Sequence, residues 1–149
     1  MVTVAAMTEL EEIAQKYASG RLDPIKSDLE RFIRSNRVRI DSFRTELSSK
    51  LHLALTDENA IKQFILRHRS INPAAEIQEQ LEEIQKEKWI RGVQDGCAPD
   101  DQAVALEWSQ KYSAGWRAHR VTTIIFVFDR DKERFIGLLR DGGDPAKSA

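Results

Sequence analysis

The chain contains little cysteine, proline or glycine, with one, four and seven of these residues among its 149. The single thiol, Cys97, excludes an internal disulfide, and such low cysteine usage is typical of a reducing compartment. We therefore expect a cytoplasmic protein. Hydrophobic residues make up 41% and charged residues 32% of the chain, which is typical of a folded, soluble protein and excludes a disordered one.

Neither sign of charge is in excess, because 23 basic and 24 acidic residues leave a formal net charge of -1. A nearly neutral chain generates no overall field that would attract nucleic acid or an anionic membrane. Any affinity of this kind has to come from a local cluster of side chains.

Long apolar runs are also missing. The longest uncharged apolar stretch, 121–128, has eight residues, whereas a helix needs ~20 to cross a bilayer. The N-terminal segment has no early positive charge and soon reaches Glu9, Glu11 and Glu12, which is not the pattern of a secretory signal. We therefore expect neither a membrane span nor secretion.

Reaction and cofactor motifs are absent from the sequence, including HExxH, CxxC, GxGxxG and GK[ST]. His52, His68 and His119 lie far apart along the chain, which argues against a metal site. Cys97 stands alone, and the acidic residues that follow it place negative charge near its thiol, which disfavours the reactive thiolate. The sequence therefore predicts a protein that is not an enzyme, with no catalytic residue, no metal and no cofactor.

The most informative feature that is present is an apolar stripe with helical spacing. At 100° per residue its members fall within about 100° of arc, so one helix would present them as a continuous stripe. Asp23 and Pro24 are residue types of an N-cap and a first helical residue, and no proline or glycine follows before Leu55. We therefore predict one unbroken helix from Pro24 to about Leu55. The stripe consists of Ile25, Leu29, Phe32, Asn36, Ile40, Phe43, Leu47 and Leu51.

This stripe has two interpretations: the rest of the chain covers it, or a second chain does. The steps between its members average about 3.7 residues, close to a straight helix pairing, for which packing within one chain suffices. Asn36 is its only polar member, and a lone polar residue on such a stripe often fixes register in oligomers. We favour cover from within the chain and leave the second chain as the alternative.

A second long helix is predicted over Pro73–Asp95, where Asn72 and Pro73 repeat the cap-then-proline pattern. This segment has three basic and six acidic residues, whereas Pro24–Leu51 has seven basic and four acidic ones. The complementary charges predict that the two long helices pack antiparallel, with rim ion pairs such as Arg34 to Glu82 or Glu83.

The segment 121–139 is open to two interpretations. Its β-branched and aromatic residues favour a strand, and 134–139 could pair with it as a β-hairpin. A helix that continues from the preceding aromatic segment is the other interpretation, followed by a short final helix after an aspartate. We prefer helix, because a lone hairpin would be an unusual addition to a bundle.

These elements predict an all-α fold, a single-domain bundle of five or six helices over residues 1–140 with a flexible C-terminal tail over 141–149. A turn at Cys97–Asp101 separates the second long helix from an aromatic one. Because packing surface is abundant and reaction motifs are missing, we predict a protein-protein interaction or regulatory module that binds another protein, itself as a homodimer, or both.

Two groups of residues are candidate binding sites. The first is a basic and aromatic segment. Aromatic residues at four-residue spacing are typical of a core, but tryptophan, tyrosine and arginine also dominate interface hot spots, so the segment is a candidate for binding a partner. Its members are Trp108, Tyr112, Trp116, Arg117 and Arg120.

The second group supports an alternative function, a nucleic-acid-associated regulator, in which the basic and aromatic segment 108–120 joins arginines of the long helix. Guanidinium groups donate forked hydrogen bonds to phosphate. The sequence has no helix-turn-helix, zinc-finger or RNP signature, so we rank this alternative below protein binding. The arginines are Arg31, Arg34, Arg37 and Arg44.

Overall fold

The helical periodicity is realised in eight α-helices over residues 8–96 and 100–141, the part of the chain that the computed structural model describes. No strand occurs in these residues, so the all-α prediction is confirmed and the hairpin alternative is wrong. The helix count exceeds the predicted five or six. The helices are α1 Glu9–Ala18, α2 Asp23–Ser35, α3 Arg37–Leu51, α4 Asp57–His68, α5 Pro73–Asp95, α6 Asp101–Lys111, α7 Ser113–Arg130 and α8 Lys132–Asp141.

Contacts divide the described residues into two compact units. Unit 1 comprises residues 8–71 and 122–141, and unit 2 comprises 72–96 and 100–121. Helix α7 supplies residues to both units. The single domain over 1–140 stays a prediction.

Unit 1 is built around an apolar core. Helix α2 packs on α8 and α3, and α4 packs on α3 and α8. Phe128 of α7 stacks on Phe135 of α8 with ring centroids 5.8 Å apart. The most deeply buried core side chains are Ile13, Leu29, Ile33, Ile40, Ile61, Ile65, Ile124, Val127, Phe128 and Phe135.

The predicted unbroken helix is wrong, because the chain breaks at Asn36 between α2 and α3. The Asn36 side chain donates a hydrogen bond to the carbonyl of Phe32 at 2.8 Å, and its backbone N–H reaches the carbonyls of Phe32 and Ile33. An asparagine side chain that bonds a carbonyl of its own helix competes with the helical hydrogen bonds. Asn36 therefore ends one helix and begins the next, and the two shorter helices still bury most of the stripe inside unit 1.

The predicted antiparallel pair of long helices also differs from the structure. Helix α5 packs on α6, whereas α2 and α3 pack on their neighbours in unit 1. Glu83, predicted as a partner of Arg34, instead pairs with Lys86 of its own helix at 3.3 Å.

The preferred helix over 121–139 is confirmed. Ile124, Val127 and Phe128 are fully buried and follow an i, i+3, i+4 spacing. Burial of this apolar face in the core outweighs the weak strand preference of the β-branched residues.

Two helices are capped at the N-terminus by threonine, a residue type that is typical of N-caps. The Thr8 and Thr56 side chains accept hydrogen bonds from the Glu11 and Asn59 N–H groups, both at 3.1 Å. At the second helix the prediction is one residue off, since α2 begins at Asp23 itself and its N-cap, Leu22, makes no side-chain bond.

Some predictions fall outside the described residues. These are Cys97 and the first part of its turn, residues 97–99, and the tail residues 142–149. Asp141 belongs to α8. Within the described residues, no helix is both long and apolar enough to cross a membrane.

Candidate protein-interaction surface

Helix α5 is held firmly at its N-terminus. The Asn72 side chain accepts a hydrogen bond from the Ala75 N–H at 3.2 Å, and Glu76 accepts one from the Asn72 N–H at 3.3 Å. Pro73 occupies the first turn, where its missing N–H costs nothing. These contacts fix where the helix begins and therefore which side chains share each face.

The face of α5 that packs within unit 2 is polar. Arg91 pairs with Glu87 of its own helix at 3.1 Å and with Glu107 of α6 at 2.7 Å. Lys88 pairs with Asp101 at the start of α6. Glu79 pairs with the buried Arg120 of α7. Charged contacts therefore connect α5 to both of its neighbours in unit 2.

The strongest electrostatic effect in this network is on Glu107. Hydrogen bonds from Lys111 and Arg91 lower the pKa of the Glu107 carboxyl from 4.5 to about 2. The same contacts raise the pKa values of Lys111 and Arg91. Glu107 is therefore a carboxylate across the whole physiological pH range and holds the side of α6 to α5.

The opposite side of α5 exposes large apolar side chains. We call Ile77, Leu81, Trp89 and Val93 the α5 apolar face. Their exposed fractions run from 49% at Leu81 to 71% at Trp89. Together with the exposed Gln85 they occupy every fourth position, so they form a ridge that winds about 160° around the helix from Ile77 to Val93.

A shallow, open depression lies beside the C-terminal half of this ridge. It is lined by Gln85, Lys88, Trp89, Gly92 and Val93. Gly92 provides no side chain, which leaves room next to the Trp89 ring. The depression is mostly apolar and could accept an apolar side chain of a partner.

The structure separates the predicted basic and aromatic residues into buried and exposed groups. Trp108 is 6% exposed and Arg120 is 8% exposed. The Arg120 guanidinium lies 5.0 Å from the centre of the half-buried Trp116 ring. Tyr112 and Arg117 are exposed. Of the five residues, these last two are the exposed ones.

Three of the four arginines of the nucleic-acid alternative contact the protein itself. Arg31 pairs with Asp28 at 3.2 Å, and Arg44 lies 3.9 Å from Asp57. Arg37 donates to the carbonyls of Leu139 and Arg140 at 2.9 and 3.0 Å, at the end of α8.

The fourth arginine, Arg34, is exposed. Self-contacts of the other three leave less of this surface for phosphate, and nucleic-acid binding stays a prediction of lower rank.

Sequence reasoning did not single out the α5 apolar face as a surface, because it expected the two long helices to pack on each other. The one related feature of the sequence is a row of polar residues along another side of the same helix. Such a row ordinarily faces water, so the sequence offers no reason to turn it inward. The row is Glu76, Gln80, Glu83, Glu87 and Arg91, all at least half-buried.

Within residues 8–96 and 100–141, no three His, Cys, Asp or Glu side chains are grouped closely enough to hold a metal ion. No protein family, curated protein or solved structure gives a significant match to this chain.

Proposed function

We propose that this protein is a non-enzymatic interaction or regulatory module whose docking surface is the α5 apolar face. The main observation in favour of this proposal is that α5 packs its charged side within unit 2 and exposes its apolar side to water. The exposed apolar residues are Ile77, Leu81, Trp89 and Val93. A group of large apolar side chains exposed on one side of a helix is typical of a binding site in a soluble protein.

Burial of this ridge would supply the free energy of binding. Removal of apolar surface from water contributes about 25 cal/mol per Å². Trp89 offers the largest exposed ring, and tryptophan is the residue type most enriched among interface hot spots. A partner helix or groove that covers four successive turns of α5 fits the spacing of the ridge.

A photo-crosslinking residue at position 81 tests the proposal. We expect protein adducts from position 81, and we expect Trp89→Ala in the same chain to reduce them strongly, because Trp89 lies on the same ridge. The matched control is position 10, since Leu10 is an exposed leucine of α1 in unit 1. Equal yields of protein adducts from both positions would contradict the proposal. So would adducts from position 81 whose yield does not change with Trp89→Ala.

A further inference from the structure

We propose that the partner on the α5 apolar face is a second copy of this chain, with the two α5 helices antiparallel and centred near Gln85. This inference rests on the proposed function, because it uses the same surface. Three features of α5 support it: the symmetry of the ridge, the match between its two halves, and the distribution of charge along the helix.

The ridge is symmetric about its centre. Ile77 and Leu81 precede Gln85 by eight and four residues, and Trp89 and Val93 follow it by four and eight. A two-fold axis through Gln85 therefore brings Leu81 of each copy to the level of Trp89 of the other, and Ile77 to the level of Val93. Gln85 meets itself at the axis, and an amide can donate to and accept from an identical amide.

The two halves of the ridge have complementary shapes. The C-terminal half carries the depression beside Trp89 and Gly92, whereas the N-terminal half presents Ile77 and Leu81 as projecting side chains. Antiparallel pairing places the projecting half of one copy over the depression of the other. This happens twice in the dimer, because the contact is isologous.

Charge along α5 favours the antiparallel direction. The first half, 73–85, has four acidic residues and no basic one, and all three basic residues lie in 86–95. Glu76, Glu79, Lys88 and Arg91 are engaged within unit 2. The charges that remain exposed beside the ridge are therefore Glu82 before Gln85 and Lys86 after it. In the antiparallel arrangement Glu82, which is exposed on one edge of the ridge, comes alongside the exposed Lys86 of the other copy.

Disulfide trapping tests the position of the two-fold axis. Gln85→Cys is made in a Cys97→Ser chain, so that position 85 carries the only thiol. A disulfide forms only when the two Cα atoms come within about 7 Å, which the proposed axis provides. The matched control is Gln94→Cys, an exposed glutamine on another side of α5. We expect rapid covalent dimer from position 85 and little from position 94.

Charge reversal tests the direction of pairing. Glu82→Lys sets lysine against Lys86 of the other copy, and Lys86→Glu sets glutamate against Glu82, so each variant alone should self-associate about two- to tenfold more weakly. A mixture of the two variants restores opposite charges at both contacts. We therefore expect the mixture to form a heterodimer more tightly than either variant forms a homodimer, measured by analytical ultracentrifugation.

Several results would overturn this inference. They are a purified chain that stays monomeric at high micromolar concentration, equal trapping at positions 85 and 94, or a charge-reversed mixture no tighter than its components. If the chain is monomeric but position 81 still crosslinks to a different protein in a Trp89-dependent way, the inference about a second copy fails and the proposed function stands. If position 81 gives no specific adduct at all, both fail.

Discussion

Unit 1 and unit 2 are both helical but bury different kinds of side chain. Unit 1 encloses a continuous apolar core to which α1, α2, α3, α4, α7 and α8 contribute. Among the described residues of unit 2 the buried apolar side chains are Val104 and Trp108, and much of the contact between helices is made by ion pairs such as Arg91 to Glu107.

The difference indicates where the stability of the fold resides, and it fits the surface that we propose for binding. Apolar burial provides most of the free energy of folding, whereas exposed ion pairs contribute only ~0 to 1 kcal/mol each. Unit 1 buries a large apolar core, although Leu10, Val38, Leu51, Leu53 and Leu66 stay exposed. Unit 2 keeps Trp89 and its neighbours on the surface, which is the arrangement expected of a region completed by a partner.

The largest effect should come from the core of unit 1. Phe128→Ala removes a fully buried ring that stacks on Phe135, and such a change ordinarily costs about 3–5 kcal/mol. We expect a large fall in the urea concentration at the unfolding midpoint, measured by far-UV circular dichroism.

The matched control for this change is Trp89→Ala, which truncates an aromatic ring in unit 2 that is 71% exposed. In dilute solution, where association contributes nothing, the free energy of unfolding of this variant should lie within about 0.5 kcal/mol of that of the parent chain. A large loss of stability in Trp89→Ala, or a small loss in Phe128→Ala, would contradict the difference that we describe between the two units.

An intermediate effect should come from Arg37, the polar contact that joins α3 to the end of α8. Arg37→Ala leaves the carbonyls of Leu139 and Arg140 without this donor, and we expect a loss of about 1–2 kcal/mol in the free energy of unfolding. The control is Arg39→Ala, an exposed arginine of the same helix. Equal stability of the two variants would show that unit 1 depends on its apolar core alone.

The smallest effect should come from Glu107 and should depend on pH. Because its pKa falls from 4.5 to about 2 on folding, the carboxylate stabilises the folded state above about pH 4.5. This contribution disappears as the pH falls from about 4.5 to about 2.

Glu107→Gln should therefore be less stable than the parent chain at neutral pH, with the difference vanishing near pH 2. Tryptophan fluorescence during urea unfolding can follow this, because all three tryptophans lie in unit 2. A difference that is independent of pH would contradict the assignment of this ion pair.

Local sequence signals predicted the class of the fold and many helix ends. Thr8, Thr56 and Asn72 cap helices as their residue types indicate, and Gly96 ends α5 with a positive φ of 71°. These features depend on a few neighbouring residues, so they can be read without the rest of the structure.

The break at Asn36 was less accessible to sequence reasoning. Asparagine is tolerated inside helices when its side chain faces water, so its residue type alone does not predict a break. The structure shows the side chain bonded to the Phe32 carbonyl, and the two resulting helices reach different neighbours, α8 and α4.

The sequence by itself determined that this chain is helical, where many of its helices begin, and which side chains lie on each face of α5. Only the tertiary structure decided which of those faces is covered. The reason is that periodicity defines two faces of a helix, but which one is buried depends on what the other helices offer. The helices that pack on α5 present the charged side chains of Glu107, Asp101 and Arg120, so the charged side of α5 is covered and its apolar ridge stays exposed to water.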